Sequence, residues 1–212
     1  MTFPIRLTYS IKLKKAPYSV VGLDLSAKHC GLAYFQAYKD HVDLMNLKSV
    51  ERNKGCTDLG YSDDIVNEVV QLKPDAIIAE DVFLKRFNGK VNVTEYNRIL
   101  RIQGNIEYGL FQENMPLAYI GASHARSVIN VNPQSNKAEI QEHVYLLLGN
   151  KSLPIFNQVH QLRVDFKSKK IKTGAYHYQA NKLSEEIYKL TNINEHRADA
   201  IVIVLAHLLE KI

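Results

Sequence analysis

Four side chains with an affinity for hard cations are spread along this 212-residue chain: Asp24, Glu80, His196 and Asp199. Asp24 closes an apolar run over residues 19–25, and Glu80 follows another over residues 76–79. His196 and Asp199 stand three apart at the start of a final apolar stretch. Carboxylate oxygens and one imidazole, placed at the ends of core elements, are what a Mg²⁺-dependent phosphoryl-transfer site is built from. Three carboxylates brought together repel and need cations to hold them. Two Mg²⁺ ions about 4 Å apart would activate a water and stabilise a leaving 3′ oxygen. Mn²⁺ is expected to substitute. The imidazole could ligate an ion or handle a proton near neutral pH. If the four converge, the chain cuts nucleic acid.

Each residue also has a plain structural alternative. Asp24 could cap the backbone amides of the turn that follows it, a common duty of Asp. Glu80 and the adjacent Asp81 could be a solvated strand end. An Asp near a helix N-terminus complements the helix dipole. Spacing adds weight to the last pair, because residues three apart on a helix share a face. Asp199 also lies among Ala198, Ala200, Ile201 and Val202, where the helix should bury itself.

Bulk properties are compatible with such a site. Apolar residues make up 46% of the chain and charged residues 23%, which suits a folded core and opposes disorder. The net charge of +5 and a pI of about 9.0 tilt toward a polyanionic partner. Cys30 and Cys56 lack metal-site spacing and read as free thiols in a reducing compartment. No apolar run reaches the ~18 residues that span a bilayer. Residues 1–23 contain no acid but do contain Arg6, Lys12, Lys14 and Lys15. Alternating polarity, with Pro4 and Pro17, favours an extended strand there over a helical transit peptide, so a cytoplasmic location is expected.

These residues need elements to hold them. Residues 19–25 read as a buried strand, 31–37 as a second and 41–50 as a third, on connections so short that the three must be antiparallel neighbours. Residues 58–72 have helical spacing up to Pro74. A strand over 76–80, a long amphipathic helix over 94–113 and a strand over 117–121 follow. Shorter helices are predicted over 123–129 and 136–148, the latter with Asn136 and Glu139 as a capping box and Gly149 as its stop. Helices over 175–190 and 195–212 complete the chain. The order predicts an α/β fold with a five-stranded mixed sheet, three antiparallel strands then two parallel, flanked by helices. A single domain over 1–212 is expected. The least core-like stretch is 151–174, read as a loop or insertion. Its segment 163–172 holds five cations against Asp165 alone.

The text around the four residues resembles the RuvC family of Holliday junction resolvases, within the RNase H-like superfamily. The matching blocks are Val-Gly-Leu-Asp24-Leu-Ser with Gly31-Leu-Ala-Tyr; Ile-Ile-Ala-Glu80-Asp-Val-Phe83; Ser135-Asn-Lys137-Ala-Glu-Ile-Gln; and His196-Arg-Ala-Asp199-Ala-Ile. They run in the family's order. The resemblance implies that Asp24 bridges two Mg²⁺ ions, that Glu80, Asp199 and His196 complete the site, and that Lys137 lies near the scissile phosphate. It also implies a structure-selective endonuclease acting on branched DNA, the four-way junction, as a homodimer. Phe83 aligns with an aromatic that wedges at the crossover, and stacking on an unpaired base is worth about 1–3 kcal/mol. Lys85, Arg86 and Arg126 would touch backbone phosphate, which positions DNA without reading its sequence.

Two features depart from the family pattern: an N-terminal extension over residues 1–18 and the basic insertion over about 151–174, whose Lys169 and Lys170 are candidate DNA contacts. Three other readings compete. A related nuclease for RNA–DNA hybrids, forks or flaps would use the same four ligands. Actin-like ATPases and sugar kinases also carry an Asp after their first strand, but need a glycine-rich loop where Ser-Ala-Lys-His stands. A non-catalytic junction-binding module would have no use for four ligands.

Overall fold

The computed structural model describes residues 3–5, 16–81, 86–87, 90–91 and 93–210. Its centre is a mixed sheet. β2 (Tyr18–Leu25), β3 (His29–Ala37) and β4 (Val42–Glu51) form the antiparallel meander. β5 (Ala76–Glu80) and β8 (Leu117–Ile120) add in parallel on the β2 side. These are the five strands and the pairing expected from the sequence. A sixth, short strand extends the far edge: β1 (Phe3–Ile5), from the N-terminal extension, pairs antiparallel with β4, giving the order β1-β4-β3-β2-β5-β8. A separate hairpin, β6 (Arg86–Phe87) with β7 (Lys90–Val91), follows β5.

Helices cover both faces. α1 (Asp58–Leu72) and α2 (Val93–Gln112) lie on one, burying Tyr61, Ile65, Ile102, Ile106 and Leu110 against Val21, Leu23 and Leu32. α7 (Glu195–Glu210) lies on the other, with α3 (Ala122–Val128) and α4 (Lys137–Leu147) beside it. β2 is therefore central and buried on both sides, which is why it reads as a near-continuous apolar run. Side chains still alternate: Val20 packs with the α7 layer, and Val21, Leu23 and Leu25 with the α1–α2 layer.

Local signals set several boundaries. α1 starts at Thr57, whose hydroxyl accepts from the Gly60 amide, and ends with Lys73 in the left-handed region at φ 46°, one residue before Pro74. The Asn136 side chain accepts from the Glu139 amide and starts α4, and Gly149 at φ 78° lies just past its end.

The stretch over 151–174 is where the structure corrects the sequence reading. Its centre is a helix, α5 (Ile155–Lys167), followed by α6 (Thr173–Thr191). Ile155, Phe156, Val159 and Leu162 of α5 are buried against Ala138 of α4 and Tyr176, Ala180, Leu183 and Ile187 of α6, forming a third apolar cluster. Their spacing is that of a helix stripe; the five cations of 163–172 all follow them.

Candidate active site

The floor of the site is one row of residues across the sheet. Ser19 at the start of β2 donates from its backbone N–H and its hydroxyl to Asp75 Oδ2 at 2.9 and 2.8 Å, clamping β2 and β5 in register. The ladder then pairs Val20 with Ala76 through to Leu23 with Ala79. The next residues, Asp24 and Glu80, are thus neighbours at the ends of adjacent parallel strands, which lie about 4.8 Å apart. By alternation both face the α7 layer, as Val20 and Ile78 do. On its other side Asp24 pairs with Gly31 of β3, and Gly31 with Ser49 of β4.

The helix α7 is set directly on this row. A Cβ on Gly31 would lie 1.9 Å from the His196 carbonyl oxygen, and one on Gly22 would lie 2.5 Å from that of Ala200. Only glycine leaves room for the helix backbone to touch the sheet at these positions. The helix start is pinned as well. The Asn194 side-chain carbonyl accepts from the Arg197 amide at 2.9 Å, while its NH₂ donates to Ser49 Oγ at 3.0 Å. Arg197 donates to the same hydroxyl at 3.2 Å and to the Asn192 carbonyl at 2.7 Å.

That seating brings His196 to Asp24. The His196 ring nitrogen Nδ1 lies 2.5 Å from Asp24 Oδ2, and Asp24 is only 7% exposed. Burial would lower the imidazole pKa. The hydrogen bond to Asp24, with the charges of Asp24, Glu195 and Asp199, outweighs it, and the pKa is raised. The ring also stacks on His29, centroids 5.6 Å apart. Asp199, one turn further along α7, accepts from Arg126 Nη2 at 3.0 Å. Lys137, the first residue of α4, pairs with Glu195.

The structure therefore brings together Asp24 and Glu80 on the sheet, and His196 and Asp199 with Arg126 and Lys137 around the start of α7. Phe83 and Lys85 lie outside the described residues, and Arg86 falls in β6. Lys169 and Lys170 close the C-terminal end of α5: Lys169 stands at φ 58°, and Lys170 pairs with Asp165 at 3.6 Å. Glu195 and His29 were missed. Glu195 was hidden as an ordinary acid in a helix's first turn, and His29 by its place in a turn-to-strand junction with no motif around it.

The donor set, carboxylate oxygens with one imidazole, fits a hard divalent cation by chemistry. As placed, Asp24 faces His196 and Asp199 faces Arg126. Among the described residues no three Asp, Glu, His or Cys side chains stand close enough to hold an ion.

No protein-family model and no curated protein matches this chain by sequence. Solved structures do match by shape. Thermus thermophilus RuvC in complex with a Holliday junction substrate aligns with a TM-score of 0.58 at 17% identity, over 90% of this chain and 93% of that one. The chain has the RuvC fold. A second Thermus thermophilus RuvC structure aligns at 0.56 with the same identity and coverage. The yeast mitochondrial Holliday junction resolvase aligns at 0.48 with 12% identity, over 94% of this chain and 81% of that one. The RuvC fold is of the RNase H-like kind, the fold class expected from the order of strands and helices.

Proposed function

We propose that this chain is a structure-selective DNA endonuclease that resolves four-way junctions by metal-dependent hydrolysis of a phosphodiester. The observation that carries the reading is the row across the sheet. Asp24 and Glu80 end adjacent strands in register, and a helix seated on Gly22 and Gly31 delivers His196 and Asp199 to the same end of the sheet. The likeness to a RuvC structure bound to a Holliday junction supports the substrate class.

Asp24, Glu80, Asp199 and His196 would hold two Mg²⁺ ions, or Mn²⁺ in their place. Bound ions would supply Lewis-acid activation of a water and charge stabilisation of the leaving 3′ oxygen, leaving a 5′-phosphate. The protein's own contribution is placement. The Gly31 contact fixes the first turn of α7, and the Asp24 hydrogen bond orients the His196 ring. Lys137 stands on the first turn of α4, where its ammonium can exchange Glu195 for a phosphate oxygen. Paired nicks on a two-fold junction call for two copies of the site, hence a homodimer. Among the described residues no helix is long and apolar enough to cross a membrane.

The test is cleavage of a synthetic four-way junction, a linear duplex and an RNA–DNA hybrid side by side, with Mg²⁺ and with chelator. Junction cutting that needs Mg²⁺ and is lost in Asp24→Asn is the expected result. Undiminished cutting by Asp24→Asn would remove the site assignment, and preference for the hybrid would remove the resolvase assignment.

A further inference from the structure

Arg126 was read from the sequence as a DNA contact, yet its guanidinium is turned inward. It stands in the last turn of α3. Nη2 donates to Asp199 Oδ1 at 3.0 Å, and Nη1 donates to the Pro133 carbonyl at 3.3 Å. The two side chains are 18% and 20% exposed. Nε is buried with no hydrogen-bond partner among the described residues. A guanidinium in such a place loses hydration that its hydrogen bonds replace only in part. The carboxylate of Asp199 is what offsets that loss, and removing either partner would leave the other charge stranded.

The pair matters because Asp199 is one of the four residues read as ion ligands. A carboxylate oxygen that accepts from a guanidinium is a poorer ligand, and a divalent cation placed beside it meets a fixed positive charge. Arginine also has a second partner of the right shape available, since its fork matches two oxygens of a phosphate as well as it matches a carboxylate.

We propose that Arg126 is a resident counter-ion of Asp199 that competes with divalent ions for this carboxylate, and that branched DNA releases it by offering phosphate oxygens in exchange. The inference rests on Asp199 being an ion ligand. Arg126 acts on the reaction through Asp199, as a positioning residue. Binding linkage then makes the effect reciprocal: DNA tightens ion binding, and ions tighten DNA binding, by the same factor. The site fills with ions chiefly when substrate is present.

Calorimetric titration of Mn²⁺ into the full chain without DNA tests the competition. Arg126→Gln should bind Mn²⁺ about fivefold tighter than wild type, or more. Equal or weaker binding overturns the proposal, and a merely structural role for Arg126 predicts that weaker result. Ca²⁺ titrations with a saturating four-way junction, after subtraction of ions held by the DNA alone, test the exchange. The junction should tighten Ca²⁺ binding in wild type and have little effect in Arg126→Gln; equal tightening in both overturns it. If Arg126→Gln does not fold, Arg126→Met, which keeps an apolar stem and loses the charge, should still shift Mn²⁺ affinity upward, and no shift overturns the proposal. Asp199→Asn separates the two layers of inference. If it binds Mn²⁺ as wild type does, Asp199 is not a ligand and the site reading fails, whatever Arg126 does.

Discussion

Two places in this molecule hold the same kinds of side chain in different settings. At the end of the sheet are Asp24, Asp199, His196 and Arg126; between α4 and α5 are Glu139, Glu142, His160 and Arg163, around a cavity of about 320 Å³. The carboxylates are alike in burial: the side chains of Asp24, Glu139 and Glu142 are 10%, 10% and 9% exposed. Each cluster has an acid–imidazole contact, 2.5 Å for Asp24 with His196 and 2.9 Å for Glu142 with His160. The cations differ. His196 and Arg126 are 19% and 18% exposed, whereas His160 and Arg163 are 67% and 37% exposed. Their origins differ too. Glu139 and Glu142 share one face of one helix, while Asp24, Arg126 and Asp199 come from β2, α3 and α7. The two clusters are thus alike in composition and differ in how far their basic partners are buried. Here the candidate site arises where distant backbones meet and water is kept from the compensating charges, so the charges interact strongly.

The sharpest contrast is between a packing residue of one region and a spacing residue of the other. Phe156 of α5 is 1% exposed and meets Tyr145 edge-on at 5.7 Å. Phe156→Ala should cost about 3–5 kcal/mol in denaturant unfolding, while protein that remains folded still cuts at the wild-type rate per active molecule. Gly31→Ala should cost about 3 kcal/mol, because the new methyl meets the His196 carbonyl, and should take the activity with it. Loss of cutting by folded Phe156→Ala, or full activity in Gly31→Ala, would erase the distinction between the regions.

The next prediction is the paired charge removal. Asp199→Asn should lower junction cleavage about a hundredfold, and Glu142→Gln less than about twofold. A large effect of Glu142→Gln would make the α4–α5 cluster part of the reaction. The smallest effect concerns His143, beside Glu142. Burial lowers its pKa from the ordinary 6.5, so the folded chain holds it neutral. That neutral form contributes stability fully above about pH 6.5, and the contribution is lost as pH falls through the depressed folded-state value. Urea unfolding of His143→Gln should therefore show a shallower loss of stability between neutral and mildly acidic pH than wild type. An unchanged slope would count against the assignment.

Much of the architecture was legible in local pattern. Apolar runs on short connections marked the meander, and helical spacing up to Pro74 marked α1 at its bounds of 58 and 72. The α5 helix was not legible, because the basic run over 163–172 set the reading of the whole stretch and the apolar stripe of Ile155, Phe156, Val159 and Leu162 finds its partners only on α4 and α6. β1 was read as extended chain but not as a sixth strand, since its pairing with β4 is a contact between distant residues.

By itself, the sequence determined that Asp24 and Glu80 would end buried strands and that His196 and Asp199 would share a helix face, because these follow from short-range periodicity. Tertiary structure alone decided that Gly22 and Gly31 admit the α7 backbone, that His196 lands on Asp24, and that Arg126 turns to Asp199 instead of outward. Those outcomes depend on close approaches between segments far apart in the chain, where packing distances, rather than residue types, choose each charge's partner.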